Sequence, residues 1–193
     1  MSTQVEELTG RLSKVALADV QGKEEEEEEI DGIEFVNYTD ESQLEYVMDL
    51  VGRDLSEPYS IFTFRYFLAR FPSLCLLAVS TEDSSREPIG CVVGKVDDEE
   101  VFQAGEMKTV PTGYIGMLAV SKEYRRRGIG KALVKRVVER MKKLGCTSVT
   151  LETEVSNVTA QRLYQDSFGF IREELLVRYY LNFGDAYRLR LWF

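Results

Sequence analysis

Apolar positions along this chain recur with two periods, one near 3.6 residues and one of 2, and the switches between them mark out its elements. Glu34-Phe35-Val36-Asn37-Tyr38 reads as a short strand, after which Thr39 or Asp40 caps a helix over about Glu41 to Val51. Asp54-Leu55-Ser56-Glu57-Pro58 breaks that helix. A second helix, rich in Phe62, Phe64, Tyr66 and Phe67, spans about Ser60 to Arg70 and stops before Pro72. Leu74 to Val79 and Ile89 to Val96 read as two apolar strands joined by a polar turn over Glu82 to Pro88. A loop is expected over Asp97 to Pro111, then a buried central strand from Tyr114 to Val120. The helix through Lys131 to Lys143 sets Ala132, Leu133, Val137, Val138 and Met141 on one face and ends at Leu144-Gly145. A strand Ser148 to Glu154, a helix Thr159 to Ser167 and strands near Leu175 to Tyr180 and Ala186 to Trp192 complete a mixed α/β order without internal repeats.

Length suits a single compact domain, and charge separates it from a tail. The net charge is -9, yet residues 1 to 34 alone hold 11 acidic and 3 basic side chains, so the remainder is almost neutral. Residues 1 to 31 carry the run Glu24 to Glu29 and no proline or aromatic residue, which predicts a disordered acidic tail ahead of a domain over 32 to 193. Val5, Leu8, Leu12 and Val15 fall close to helical spacing there and could meet a partner. With no histidine in the chain, imidazole-dependent nucleophile pairs are excluded, and the scattered Cys75, Cys91 and Cys146 read as core packing with no metal site. No signal peptide, membrane-length apolar span or basic stripe is visible. These features point to a reducing, cytosolic or nuclear setting, with no membrane and no direct nucleic-acid contact.

Candidate chemistry concentrates where the strand Tyr114 to Val120 meets Arg125-Arg126-Arg127-Gly128-Ile129-Gly130 and a helix. A helix N-terminus offers unpaired N–H groups and the positive end of its dipole, and two glycines let an anion approach the backbone. Such a turn cradles a pyrophosphate, with arginines adding charge-assisted contacts. The competing reading is a tight turn with solvated arginines. On the strand Ser148 to Glu154, alternation puts Thr150, Glu152 and Glu154 on one face. Glu152 sits there among apolar residues, where an unpaired carboxylate is costly and its pKa is raised, which suits a general base. The alternative, pairing with an arginine on a neighbouring strand, competes more strongly for Glu154. Tyr164 could donate a proton to a leaving group, against the plainer reading of an aromatic packed on the core face of its helix.

Arg125 to Gly130 matches the [QR]-x-x-G-x-[GA] motif, and the chain resembles the GNAT acetyltransferases. Asp54-Leu55-Ser56-Glu57-Pro58-Tyr59-Ser60-Ile61, Gly113 to Val120, Leu151-Glu152-Thr153-Glu154-Val155 and Arg178-Tyr179-Tyr180-Leu181-Asn182 are similar to blocks of NatC-type N-terminal acetyltransferases. The similarity covers roughly residues 34 to 193 and leaves out the tail and Asp97 to Pro111. It implies a GNAT fold, with a mostly antiparallel splayed sheet flanked by helices, and acetyl-CoA held at Leu118, Ala119, Val120, Arg125, Arg126, Arg127, Gly128, Ile129, Gly130, Lys131, Asn157 and Tyr164. It implies Glu152 as general base through water and Tyr164 as the hydroxyl beside the coenzyme sulfur. Leu55, Glu57, Pro58, Tyr59, Tyr114, Tyr179 and Tyr180 would receive a protein N-terminus that begins with Met and a bulky apolar residue. Auxiliary subunits, one large and helical and one small and Sm-like, and a ribosome-associated cytoplasmic setting are implied as partners. Acetylation of lysine side chains or small amines, or an acyl-CoA-binding subunit without turnover, are the alternatives.

Overall fold

The computed structural model describes residues 30–53, 59–82 and 86–193. The acidic run Glu24 to Glu29, the stripe from Val5 to Val15 and the acceptor candidates Leu55, Glu57 and Pro58 lie outside the described residues. Strand β1 spans Ile33–Asn37 and leads into a short 3-10 turn, Glu41–Gln43, which Asp40 caps by accepting from the Ser42 amide. Helices α1 (Leu44–Gly52) and α2 (Ile61–Arg70) follow, the second capped by Ser60. Next come β2 (Cys75–Ser80), β3 (Pro88–Gln103) and β4 (Glu106–Val120), then α3 (Ile129–Lys143), β5 (Ser148–Glu154), α4 (Val158–Phe168), β6 (Ile171–Leu176) and β7 (Ala186–Trp192). The sheet order is β1-β2-β3-β4-β5-β7-β6, antiparallel except between β4 and β5.

Two apolar layers sandwich this sheet. Leu76 and Ala78 of β2 face α3, whose Ile129, Leu133, Val137 and Met141 are fully buried, while Cys75 and Leu77 face α1 and α2. A strand buried on both faces explains why β2 reads as an unbroken apolar run. All three cysteines are buried and in no disulfide among the described residues, and burial pushes the thiols of Cys75 and Cys146 up to about 12 and about 11, as expected of packing residues.

Two segments differ from the sequence expectation. Asp97 to Pro111 is not a loop: β3 and β4 stay paired to Gln103 and Glu106, across a two-residue turn whose Ala104 and Gly105 both have positive φ. Ala-Gly is a weak turn signal beside Asn-Gly, and four consecutive acidic residues masked the strand. The penultimate strand occupies Ile171–Leu176, earlier than Leu175 to Tyr180, so Tyr179 and Tyr180 sit in the following loop.

A buried ion network fastens the hairpin to the far side of the sheet. Arg190 of β7 is 8% exposed and donates to both carboxylate oxygens of Glu99, at 2.8 and 3.0 Å, and to Glu173 at 2.7 Å. Those hydrogen bonds hold the Glu99 carboxyl below its usual range. A depressed carboxylate contributes stability above its unfolded value, near 4.5, that is lost as pH falls through the lower folded value. The thermal midpoint should therefore fall more steeply between about pH 5 and 3 in the native protein than in Arg190→Met. Asp40 and Glu123, lowered by their own serine hydrogen bonds, titrate alike in both. Parallel slopes would exclude the Glu99 linkage.

Candidate active site

β4 and β5 pair only where Thr112, Gly113 and Tyr114 meet Ser148, Val149 and Thr150, so Ile115 to Val120 and Leu151 to Glu154 diverge. A bulge in β4 accompanies the divergence. Met117 faces Val93 and Ile115 faces Gly94, leaving Gly116 as the extra residue. A Cβ on Gly116 would stand 3.1 Å from Phe67 Cζ and 3.3 Å from Tyr114 Cε1, so a side chain at this bend would have to push the two rings aside by a few tenths of an ångström. Between the diverging strands lies a cleft of about 180 Å³, lined by Gly116, Met117 and Leu118 on one side and Leu151 to Glu154, Asn157, Ala160 and Tyr164 on the other. Tyr59 and Tyr180 border it as well.

Glu152 is in this cleft, but it is not the unpaired carboxylate the sequence suggested. Its Oε2 accepts from the Tyr114 hydroxyl at 2.9 Å, and its Oε1 accepts from Arg188 Nε at 3.0 Å. The register of β5 on β7 sets Glu152 directly opposite Arg188, which composition and periodicity could not supply. Burial, and then the Glu152 charge, push the Tyr114 phenol well above its usual value. The Lys95 ammonium lies 5.3 Å from the centre of the Tyr114 ring, from the cross-strand position. Tyr164 is buried against Phe170 with ring centres 5.5 Å apart, and burial raises its phenol too. Its hydroxyl has no hydrogen-bond partner among the described residues, so it is an available donor toward the cleft. Tyr180 is raised first by burial and then by Glu154. The three phenols are therefore O–H donors at neutral pH.

Asn157 spends its side-chain oxygen on capping α4, accepting from the Ala160 amide at 3.0 Å, and presents the rest of its amide to the cleft. Gln161, which sequence reading passed over, ties α4 to the end of β5 by donating to the carbonyls of Glu154 and Val155 at 3.1 and 2.8 Å. Arg188 was also passed over. Its signal is an arginine alternating with Arg190 on the strand that pairs with β5.

At its other end β4 runs into the start of α3. Gly128 is the N-cap at φ 86°, in the left-handed region, and no side chain caps the helix among the described residues. The amides of Ile129, Gly130 and Lys131 are consequently the donors of this terminus. A Cβ on Gly130 would find Val120 Cγ2 at 3.8 Å and Leu163 Cδ2 at 3.9 Å, so the space beside it is open. Two of the three arginines are engaged by backbone carbonyls: Arg125 Nε donates to the Val120 carbonyl at 2.9 Å, and Arg127 donates to the distant Asp31 carbonyl at 3.0 Å. Arg126, at φ 62°, has no side-chain bond among the described residues. Leu118 lines the cleft, whereas Ala119 is buried among the residues facing α1 and α2, so Ala119 could contact a ligand through its backbone alone.

The sheet is thus opened between two parallel strands, and a helix start with no side-chain cap among the described residues stands at the end of one of them. The chain belongs to the acetyltransferase (GNAT) family, whose model matches residues 44–170. Within that family it is similar to N-alpha-acetyltransferase 30 of Mus musculus, 44% identical over all of this chain and 50% of that protein. It is likewise similar to N-alpha-acetyltransferase MAK3 of Arabidopsis thaliana, 46% identical over 88% of this chain and 83% of that protein. The crystal structure of the NatC complex bound to Gag peptide and CoA contains a chain 41% identical to this one, with a TM-score of 0.75 over 83% of this chain and 98% of that one. This chain spans about half the length of the mouse protein and of its Xenopus laevis and Homo sapiens counterparts.

Proposed function

We propose that this chain transfers acetyl from acetyl-CoA to the N-terminal α-amine of proteins, with preference for Met followed by a bulky apolar residue. The observation that carries this reading is the cleft itself, where Glu152 on β5 and Tyr164 on α4 border one opening between splayed strands. The residues fit the coenzyme. Gly128 and Gly130 leave the backbone donors of α3 accessible, Arg126 is at hand for phosphate, and the open edge of β4 beside Leu118 and Val120 can bond an extended chain as an added strand would. Acetyl-CoA, when bound, supplies the acetyl group activated as a thioester.

The chain's own residues then have to manage protons and position. A peptide α-amine, with pKa about 7.7–8.0, is mostly protonated at neutral pH and must lose a proton to attack. Glu152 accepts it, through a water, while Tyr114 and Arg188 fix the carboxylate. Backbone N–H groups on β4 stabilise the developing oxyanion. Tyr164, held protonated by burial, donates to the departing sulfur. Asn157 orients the thioester end of the donor. Tyr59, Tyr114, Tyr179 and Tyr180 form the acceptor wall, and Leu55, Glu57 and Pro58, which lie outside the described residues, are assigned to acceptor recognition by sequence. Discrimination among apolar side chains amounts to about 1–3 kcal/mol per methylene-sized change, so the preference is graded.

Membership in a NatC-type complex, with a large helical and a small Sm-like subunit at the ribosome in the cytoplasm, belongs to the same proposal; it is supported by the 41% identity to a chain of such a complex. Residues 1 to 31 contribute nothing to the chemistry, which belongs to the domain over 32 to 193. In a CoA-release assay, Met-Leu peptides should turn over, and peptides with a blocked N-terminus and an internal lysine should give background rates. The reverse selectivity would overturn the reading.

A further inference from the structure

Glu152 belongs to a charged row that crosses three strands. Register places Glu152 of β5 opposite Arg188 of β7, and Arg188 opposite Glu174 of β6. The Arg188 guanidinium is split between them: Nε donates to Glu152 Oε1 at 3.0 Å and Nη1 to Glu174 Oε2 at 3.0 Å. Side-chain exposure rises outward along the row, from 8% at Glu152 to 36% at Arg188 and 54% at Glu174. The row depends on a bulge in β6. Pairing with β7 skips Glu173, so Glu173 and Glu174 both reach arginines on the same face of β7, Glu173 at Arg190 and Glu174 at Arg188. In a regular strand, consecutive side chains point to opposite faces and one of the two would be turned away.

We propose that Arg188 and Glu174 are positioning residues for acyl transfer, acting through Glu152; the inference rests on the proton-accepting role given to Glu152 above. An ionised carboxylate has about four acceptor sites. Tyr114 uses one on Oε2 and Arg188 one on Oε1, which leaves a site on each oxygen for the substrate ammonium or a bridging water. Arginine forks are able to close bidentately on one carboxylate, which would turn Glu152 and occupy a further site. Glu174 holds the guanidinium at Nη1 from the solvent side, which resists the shift that would bring Nη2 onto Glu152 and close the fork. Arg188 thus aims the carboxylate, and Glu174 keeps Arg188 from covering it.

The test is a set of steady-state measurements with a Met-Leu peptide and acetyl-CoA on Arg188→Gln, Arg188→Lys and Glu174→Gln, each alone and combined with Glu152→Gln. Arg188→Gln should lower kcat by about tenfold and Glu174→Gln by severalfold, with KM for both substrates little changed. Arg188→Lys should restore part of the loss. In the Glu152→Gln background neither change should lower kcat further, because the group they act through is already gone. Equal losses in both backgrounds, or a rise in KM at constant kcat, would overturn the proposal in favour of a structural or binding role. Glu174→Gln removes a half-exposed charge and leaves the fold intact, so it decides the matter if Arg188→Gln is unstable. Wild-type turnover in Glu152→Gln alone would instead overturn the role assigned to Glu152, a separate failure read from a separate variant.

Discussion

Replacing Glu152 by glutamine should lower kcat for a Met-Leu peptide by roughly 100- to 10,000-fold, the usual contribution of a positioned acid or base. The substitution keeps the shape of the side chain, and its amide oxygen still accepts from Arg188 or Tyr114, the two groups now bonded to the carboxylate. What it removes is the acceptor for the amine's proton. Calorimetric affinity for acetyl-CoA and the thermal midpoint should stay near those of the native protein, because the helix start proposed to receive phosphate is built from other residues. The loss should shrink as pH rises above the amine's own pKa of about 8, where free amine no longer depends on a base. Turnover at the native rate at pH 7 would remove Glu152 from the chemistry.

A second large effect is expected from Gly130→Trp, which should weaken acetyl-CoA binding by more than about tenfold, or 1.4 kcal/mol. Gly130 lies in the first turn of α3, and its φ is not positive, so a tryptophan is compatible with the backbone and helix propensity even favours it over glycine. The indole would occupy the open space between the end of β4 and α4, in front of the unpaired amides. Gly128 is a poorer probe, since its left-handed conformation makes any side chain a test of strain as well as of access. Unaltered coenzyme affinity in a folded Gly130→Trp protein would mean that phosphate is held elsewhere.

Periodicity and punctuation made most of the scaffold legible. The strand Ser148 to Glu154 and the helix ending at Gly145, whose φ is 84°, fall where apolar spacing and the stop glycine place them. Legibility failed where polar residues form strand. Asp97 to Glu100 pair with Thr109 to Thr112, helped by Arg190 reaching across the sheet to Glu99, and no local pattern announces a partner 91 residues away. The site was readable as residue types, not as contacts. Glu152 could be singled out from its place on a strand, but its engagement by Tyr114 and Arg188 depends on register, which is a property of the assembled sheet. Gly116 gave no sign of its bulge, since the extra residue is defined only against Val93 and Gly94 on the facing strand.

The position of β7 has a consequence for how the chain reaches this state during synthesis. β7 is seventh in order along the chain yet lies between β5 and β6, supplying Arg188 and Arg190 to carboxylates on either side. A nascent chain that has emerged through β6 therefore has two strand edges with nothing between them, and a Glu152 whose arginine has not been made. Pairings of this kind connect distant stretches and close slowly. Glu152 thus gains its Arg188 contact only once β7 has been made and paired, whereas the turn at Gly128 is complete in sequence well before that.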